Sequence, residues 1–421
     1  MSSFFPGLLS PSPASLSGGV LRSCDDAIDK IRRSLNFLEH LNEEEGGGRG
    51  NANAGDGAVA KDGGAPSTHA DNIESSVSVL LSLLSSSSSA ELKQSLIKHV
   101  RVELSKPENF LESFMESMKL VSFEGRKTVT GFACVVLEKE KACKHGVDGC
   151  RCCDGKVPLG NVSSTSKNND AALSDGCNCM PSHLFISDQT IKTIIKNSTM
   201  AELSIPASRI LRTLASYCNV HSRLLKMDDF MDVYCKGGLL NTNFEVSSEC
   251  FQSLRLLLLN TDTSISSNYL ISDYTTLMDN FYTTMLLKST PPYNYVTLLL
   301  SLNLLQSLLL ERKNFKFMMR YISSSTNLTA ILELLRFPKE KIRMASYHIF
   351  KVFVANPRKT SDVERILKLN WRKLKDFIIA NVKSDEGGDS NWEKERDVVV
   401  NCLEELGKVE EEEKRNRAAQ K

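Results

Sequence analysis

The chain has 421 residues, of which 41% are hydrophobic and 24% charged, so it is long and apolar enough to bury a large core. Its formal net charge of +1 argues against a nucleic-acid-binding protein, which would normally carry a basic excess. Twelve cysteines without a secretory signal predict reduced thiols in a cytoplasmic protein rather than a disulfide framework.

The N-terminal segment, residues 1–14, is predicted to be a disordered leader. Its apolar part is interrupted by prolines, and no basic residue precedes Arg22, which is unlike a secretory signal. After the leader, nearly every segment with a readable period shows helical spacing, and convincing strand patterns are absent. The sequence therefore predicts an all-α protein.

Three segments illustrate the helical spacing, because their apolar residues recur at intervals of three and four. The first stripe consists of Val20, Cys24, Ile28, Ile31, Leu35 and Leu38. The second consists of Val246, Cys250, Leu254 and Leu257, and the third of Tyr274, Leu277, Phe281 and Met285. Each pattern predicts an amphipathic helix with one buried side.

Two segments interrupt this pattern, and both are predicted to be disordered insertions. Residues 42–72 are rich in glycine, alanine and acidic residues, and residues 138–182 contain a long polar stretch. Neither segment has enough apolar surface to offset the entropy of ordering.

The second insertion contains the only candidate metal ligands, which are His145 and six cysteines: Cys143, Cys150, Cys152, Cys153, Cys177 and Cys179. Zinc would need four of them in a tetrahedral arrangement, but the spacing is not the usual paired C-x-x-C pattern. A thiol-based redox site at Cys152 and Cys153 is a further alternative. An unstructured loop with free thiols is the preferred interpretation, and we assign no metal or cofactor.

The C-terminal third contains two densely apolar stretches, 295–312 and 346–354. The first is broken by polar residues such as Ser301 and Asn303, so it predicts a buried helix rather than a membrane span. Pro292 and Pro338 lie 46 positions apart, within the usual period of armadillo and HEAT repeats. An inner helix of such an array contacts neighbours on several sides and must be apolar nearly all round.

We therefore predict an armadillo/HEAT-like helical-repeat solenoid between residues 15 and 406, followed by a charged tail at 407–421. No nucleophile elbow, phosphate-binding glycine loop or zinc-protease motif occurs, so the sequence does not predict an enzyme. His348 lies in an apolar helix and is interpreted as a structural imidazole.

Several contiguous segments closely resemble the calcium-binding protein 39 family, and the likeness extends over about residues 16–406. They are "VSFEGRKTV" (121–129), "NFEVSSECFQSLRLLL" (243–258), "NYVTLLLSLNLLQSLLLERKNFKFMMRYIS" (294–323), "NLTAILELLR" (327–336) and "HIFKVFVANPRKT" (348–360). Members of this family are helical-repeat scaffolds that bind sterile-twenty-type kinases and pseudokinases. The family name mentions calcium, yet no EF-hand loop is present and no calcium site is assigned.

The resemblance implies a curved, armadillo-like solenoid whose concave face binds the kinase partner and stabilises its active conformation without performing chemistry. It further implies a pocket for a C-terminal Trp-Glu-Phe tail of a pseudokinase, and a cytoplasmic role in signalling, polarity or morphogenesis. A monomer within a complex is the expected state.

By the resemblance, Phe244 and Tyr295 correspond to aromatic positions of the concave face, Arg312 to a basic position and Leu332 to an apolar residue of the tail pocket. From pattern alone, the three apolar residues are equally consistent with core positions. Arg312 is equally consistent with a cation that stabilises a helix C-terminus.

The chain departs from the family where two basic residues are expected, since Leu298 and Leu299 occupy those positions and Asn303 replaces a lysine one turn on. We expect this change to make the binding face more hydrophobic, with Leu299 among its contacts, and to favour a diverged kinase. Two alternatives stay open: a general helical-repeat adaptor in trafficking or assembly that no longer binds kinases, and a metal- or redox-responsive regulator.

Overall fold

The computed structural model describes residues 18–46, 66–86, 90–104, 110–138, 186–259, 264–287, 295–381 and 390–419. These residues form helices and short turns, and none of them lies in a strand. The all-α helical-repeat fold is therefore confirmed. The chain divides into two compact units, Met1–Gly238 and Leu239–Lys421. The predicted domain boundaries at residues 15 and 406 stay a prediction.

The first unit contains eight α-helices within its described residues. They are α1 (Gly18–Gly46), α2 (Pro66–Ser86), α3 (Ala90–Leu104), α4 (Phe110–Ser117), α5 (Phe123–Leu137), α6 (Asp188–Ser198), α7 (Ser204–Leu214) and α8 (Cys218–Lys226), followed by a π-helical segment, Phe230–Leu239. In α1 the predicted stripe is buried at Cys24, Ile28, Ile31 and Leu35, where α1 packs against α2. Val20 is half-buried.

The first predicted insertion is narrower than expected, since α1 continues to Gly46 and α2 begins at Pro66. Proline is well suited to the first position of a helix, because its missing N–H has no helical acceptor there. Residues 42–46 and 66–72 are therefore helical, and the rest of the insertion lies outside the described residues. Of the second insertion, residue 138 is the C-cap of α5, and residues 139–182 also lie outside the described residues.

The second unit carries the helices that form the candidate site. They are α9 (Phe244–Leu258), α10 (Ile265–Ser272), a second π-helical segment (Thr275–Leu286), α11 (Tyr295–Leu310), a 3-10 turn (Arg312–Asn314), α12 (Phe315–Ile322), α13 (Ser325–Leu335), α14 (Glu340–Ala355), α15 (Ser361–Asn381) and α16 (Ser390–Ala419). The segment predicted as a charged tail thus continues α16 as far as residue 419.

Helix α14 explains the dense apolar sequence around residue 350. It contacts α11, α13 and α16, and Phe350 and Phe353 are fully buried between them. The Phe353 ring lies 5.9 Å from that of Tyr321, which is 6.4 Å from Phe317. Tilted aromatic pairs at these separations stabilise a core beyond the effect of area alone. Helix α14 is therefore apolar on several sides because a different helix packs against each of them.

The helix predicted from Tyr274, Leu277 and Phe281 exists, but it is π-helical rather than α-helical. These three residues are buried as expected, whereas Met285 is half-buried. A π-helix closes i→i+5 bonds, and the small difference in side-chain period is not visible in a three-turn apolar pattern. None of the described helices combines the length and hydropathy needed to cross a bilayer.

Replacing Gly407 with alanine is expected to destabilise the packing of α16 on α15 by about 1–2 kcal/mol. Alanine normally favours a helix by about 1 kcal/mol over glycine, but the added Cβ would lie 2.3 Å from the Trp371 ring. Gly131→Ala is the matched control, because a Cβ at Gly131 meets nothing within 4 Å. In urea denaturation, the free energy of unfolding should fall for Gly407→Ala and rise for Gly131→Ala. Equal stabilisation by both substitutions would contradict the close approach of Gly407 to Trp371.

Candidate partner-binding surface

Helices α9, α11 and α14 form a row, because α11 packs against α9 and also against α14. The buried hydroxyl oxygens of Ser247 and Thr297, in the first turns of α9 and α11, lie 3.5 Å apart. The Ser247 hydroxyl also donates a hydrogen bond of 2.8 Å to the Leu239 carbonyl. These contacts hold the first turns of α9 and α11 beside each other.

Two accessible aromatic side chains lie at this end of the row. Phe244 is the first residue of α9 and is 55% exposed, while Tyr295 is the first residue of α11 and is 36% exposed. The Asn243 side chain accepts a 2.9 Å hydrogen bond from the Glu245 N–H and so caps the helix start that carries Phe244. The two aromatic residues named from the resemblance are thus the first residues of neighbouring helices.

Helix α11 leaves one side open to solvent, where Val296, Leu300 and Ser307 are half-buried beside a more exposed line of residues. This open stripe consists of Tyr295, Leu299, Asn303, Gln306 and Leu310, which recur at intervals of four and three residues. Tyr295, Asn303 and Leu310 are exposed, and Leu299 and Gln306 are half-buried. The open stripe carries no formal charge.

Of the two leucines that stand where the family resemblance implies cations, Leu298 is only 2% exposed and packs in the core, whereas Leu299 lies on the open stripe. Neighbouring positions of a helix point about 100° apart, so only one of the two leucines reaches the surface. The polar residues Thr297 and Ser301 are also buried, and the Ser301 hydroxyl donates to the Thr297 carbonyl at 2.7 Å. The Tyr282 hydroxyl donates to the Ser301 carbonyl, also at 2.7 Å.

Helix α14 contributes a half-buried stripe of Met344, His348 and Lys351. The Lys351 Nζ atom lies 2.7 Å from Glu395 Oε2 on α16, so the charge of this lysine is balanced within the unit. None of these residues was predicted from the sequence as part of a surface, because α14 is apolar on almost every side. Only its contacts with α11, α13 and α16 show which side remains open.

Arg312 and Leu332 lie apart from the aromatic pair. Arg312 is exposed in the 3-10 turn that follows α11, so the 16-residue helix separates it from Tyr295 by about 24 Å. Leu332 is half-buried on α13, which packs against α14. A single partner contacting all the predicted residues would therefore span the length of α11.

His348 is expected to make the second unit less stable at mildly acidic pH. Burial, and secondly the nearby Lys351 ammonium, lower the pKa of His348 from 6.5, although Glu395 opposes the shift. A lowered pKa means that folding favours the neutral imidazole. The stability that the second unit gains from neutral His348 is therefore complete above pH 6.5, and it declines as the pH falls from 6.5 towards the folded-state pKa.

The test compares urea denaturation of the wild type and His348→Gln at about pH 7 and about pH 5. The variant should lose less stability than the wild type on acidification. An identical loss in both proteins would show that other groups cause the pH dependence.

Metal chemistry has no site among the described residues, where no group of three His, Cys, Asp or Glu side chains is placed to hold an ion. The candidate ligands Cys143, His145, Cys150, Cys152, Cys153, Cys177 and Cys179 lie outside the described residues. Burial raises the pKa of the Cys24 thiol to about 11, so it stays protonated near neutral pH.

Comparison with known proteins identifies relatives over most of the chain. The sequence model of a family described as Mo25-like matches residues 25–407. A Mo25-like protein of Schizosaccharomyces pombe is 32% identical over 226 residues, which cover 53% of this chain and 65% of that protein. Human "Calcium-binding protein 39-like" is 26% identical over 299 residues, covering 71% and 76%. MO25-like protein 2 of Caenorhabditis elegans is 32% identical over 163 residues, covering 39% and 46%.

Proposed function

Since the chain belongs to the Mo25-like family, we propose that it is a non-catalytic scaffold for a sterile-twenty-type protein kinase or pseudokinase. The partner binds the open side of α9, α11 and α14. The observation that carries this proposal is the pair of accessible aromatic side chains, Phe244 and Tyr295, at one end of a well-packed helix row. Large aromatic residues on a rigid support are typical anchors of protein interfaces.

The composition of the open stripe supports a partner that contributes apolar and amide contacts. Leu299 and Asn303 stand where the family resemblance implies cations, and Lys351 is paired with Glu395. An uncharged interface gains little from long-range attraction, so partner binding should depend weakly on salt. This proposal favours a kinase whose contact surface has diverged in parallel.

Activation follows from selective binding rather than from chemistry. A kinase exchanges between inactive and active conformers, and a scaffold that binds the active one more tightly raises its population. Allosteric couplings of this kind are typically about 1–3 kcal/mol, or about 5- to 150-fold in an equilibrium constant. The scaffold needs only a surface that fits one conformer better than the other.

A second contact is proposed for a C-terminal Trp-Glu-Phe tail of the partner, with Leu332 on α13 supplying an apolar contact. Leu332 is half-buried, so part of its side chain is accessible. A synthetic peptide with this ending should bind the wild type and bind Leu332→Asp more weakly. Equal binding to both proteins would remove Leu332 from the proposed pocket.

The test of the main proposal is affinity purification of the full chain from cytoplasmic extract, followed by kinase assays with the purified partner. Sterile-twenty-type kinases or pseudokinases should dominate the specific partners, and added scaffold should raise kinase activity. A partner set without such kinases, together with unchanged activity of added ones, would favour a general adaptor in trafficking or assembly. We propose a monomer within the complex and a cytoplasmic location.

A further inference from the structure

Helices α15 and α16 are joined by ion pairs along one side. Lys375 pairs with Glu404, and the Arg372 guanidinium lies 2.6 Å from Glu411 Oε1. The two helices are antiparallel, because the earlier of the two cations in α15 meets the later of the two acids in α16. The first turns of α15 therefore lie beside the last turns of α16.

Ser361 lies on the same side of α15 as the two paired cations. It is the first residue of the helix and precedes Arg372 by about three turns and Lys375 by about four. On α16, Arg415 follows Glu411 by one turn and so lies on the side that faces α15. The antiparallel register places this arginine beside the first two turns of α15.

The row of ion pairs ends with an unbalanced cation. Arg415 is exposed, and it forms no ion pair with any of the described residues. Ser361 is exposed as well, and within the described part of the chain its hydroxyl has no hydrogen-bond partner. An anion at Ser361 would extend the row by one more pair, with the negative charge on α15 and the positive charge on α16.

The loop before α15 presents a further cation near this serine. The Asn356 side chain accepts a 2.9 Å hydrogen bond from the Arg358 N–H and donates one of 3.0 Å to the Arg358 carbonyl. The Thr360 hydroxyl donates a 2.9 Å hydrogen bond to the Ser323 carbonyl. These contacts fix the loop backbone, whereas the Arg358 side chain is exposed and unpaired among the described residues.

We propose that Ser361 is a phosphorylation site, and that phosphoserine at this position ties the start of α15 to the end of α16 through Arg415. A phosphate carries a charge of about −2 near neutral pH and offers three acceptor oxygens, so it forms charge-assisted hydrogen bonds with arginine. An anion at the first position of a helix is also favoured by the helix dipole. Both contributions stabilise the packed form of the last two helices.

The surroundings of Ser361 fit a basophilic serine/threonine kinase, because an unpaired arginine lies three residues before it. Kinases select substrates by the pattern of charges around the acceptor. The acids that follow Ser361 are already paired, which disfavours a kinase that recognises acidic residues. Asp362 lies 3.4 Å from Arg365, and Glu364 lies 2.9 Å from Lys368.

The reaction transfers the terminal phosphoryl group of MgATP. The Ser361 Oγ atom forms a bond to the γ-phosphorus while the bond from this phosphorus to the β,γ-bridging oxygen breaks, which releases ADP. The hydroxyl proton passes to the catalytic carboxylate of the kinase. The neighbouring Thr360 is a poorer acceptor, because it is half-buried and its hydroxyl donates to the Ser323 carbonyl.

The phosphate acts on the proposed partner-binding surface only through helix packing. Helix α16 packs against α14, which is one of the three helices of the row, so fixing α16 also supports α14. This covalent control goes beyond the proposed scaffold function and does not depend on it.

The experiment treats the full chain with the catalytic subunit of cyclic-AMP-dependent protein kinase and MgATP, and maps phosphate by mass spectrometry. Ser361 should be modified, and Arg358→Gln should slow this modification about tenfold or more. Hydrogen exchange then compares the phosphorylated and unmodified chains. Amides of residues 364–368 and 411–419 should exchange about fivefold or more slowly after phosphorylation.

Arg415→Gln separates the phosphate lock from the modification itself. This variant should be phosphorylated normally but should lose most of the added protection of residues 411–419. The matched control is Arg336→Gln, which removes an exposed arginine after the last turn of α13 and should keep the full protection. Ser361→Ala should show neither phosphate at this position nor added protection.

Four outcomes would overturn the proposal. They are an unmodified Ser361 after treatment with active kinase, modification by an acidophilic kinase alone, unchanged exchange of residues 411–419 in the phosphorylated chain, and equal protection in the wild type and Arg415→Gln. These readouts use the chain without its kinase partner, and the test of the scaffold function uses partner capture and activation. Failure of either proposal can therefore be recognised separately.

Discussion

Tyr295→Ala is expected to weaken binding of the proposed kinase partner by about 2–4 kcal/mol, or about 30- to 1,000-fold in Kd, without unfolding the protein. Tyr295 is the first residue of α11, the middle helix of the row, and keeps 36% of its surface exposed in the free chain. No residue in the described part of the chain forms a hydrogen bond with its hydroxyl group. Truncation should therefore remove an interface contact rather than a fold contact.

A second variant for this experiment is Phe244→Ala, at the 55% exposed first residue of α9 in the same row. Calorimetry with the purified partner should show a loss for Phe244→Ala close to that for Tyr295→Ala. Wild-type affinity in a folded Tyr295→Ala protein would discredit this surface.

Asn327→Ala is expected to lower the free energy of unfolding of the second unit by about 3 kcal/mol, because it leaves several buried groups without partners. The buried Asn327 Nδ2 donates to the Tyr274 hydroxyl at 3.2 Å and to the Tyr321 carbonyl at 3.1 Å. Its Oδ1 accepts a 3.2 Å bond from the Thr283 hydroxyl. One side chain thus connects α13 to the end of α12 and to the second π-helical segment.

The control is Asn303→Ala, the same substitution at an exposed position of α11. Its effect should stay within about 0.5 kcal/mol, as is usual for exposed sites. Urea denaturation gives both values, and the slope of the transition should be the same in the two variants. A loss below about 1 kcal/mol for Asn327→Ala would mean that water or local rearrangement satisfies the freed groups.

The stripes of the amphipathic helices were predictable because each has one buried side. Cys24, Ile28, Ile31 and Leu35 recur at helical spacing, and all four are buried in α1, which packs against α2, α3 and α4. The edge of the first insertion was not predictable to the residue. Glycine-rich composition marks a break in the helices, but a helix end extends until its backbone groups lose their partners, and Pro66 starts α2 inside the expected insertion.

The proposed binding surface was predictable only in part. The resemblance indicated Phe244, Tyr295 and Leu299, which the structure places on accessible sides of neighbouring helices. It did not reveal that Leu298 is buried. The same types of apolar residue occur in protein cores and at interfaces, so residue type alone does not separate the two. A helix with apolar residues on every side also lacks the polar stripe that would identify its solvent-facing side.

The order of residues alone was sufficient for the helical class, the positions of most helices, the lack of catalytic motifs and the family, because these follow from local periodicity and from long contiguous matches. Packing between helices decided which side of α11 meets solvent, that Leu298 is buried while Leu299 is accessible, and that Leu310 and Phe315 remain exposed. These properties depend on helices that are far apart in the chain. The apolar pattern of one helix does not indicate which other helices pack against it.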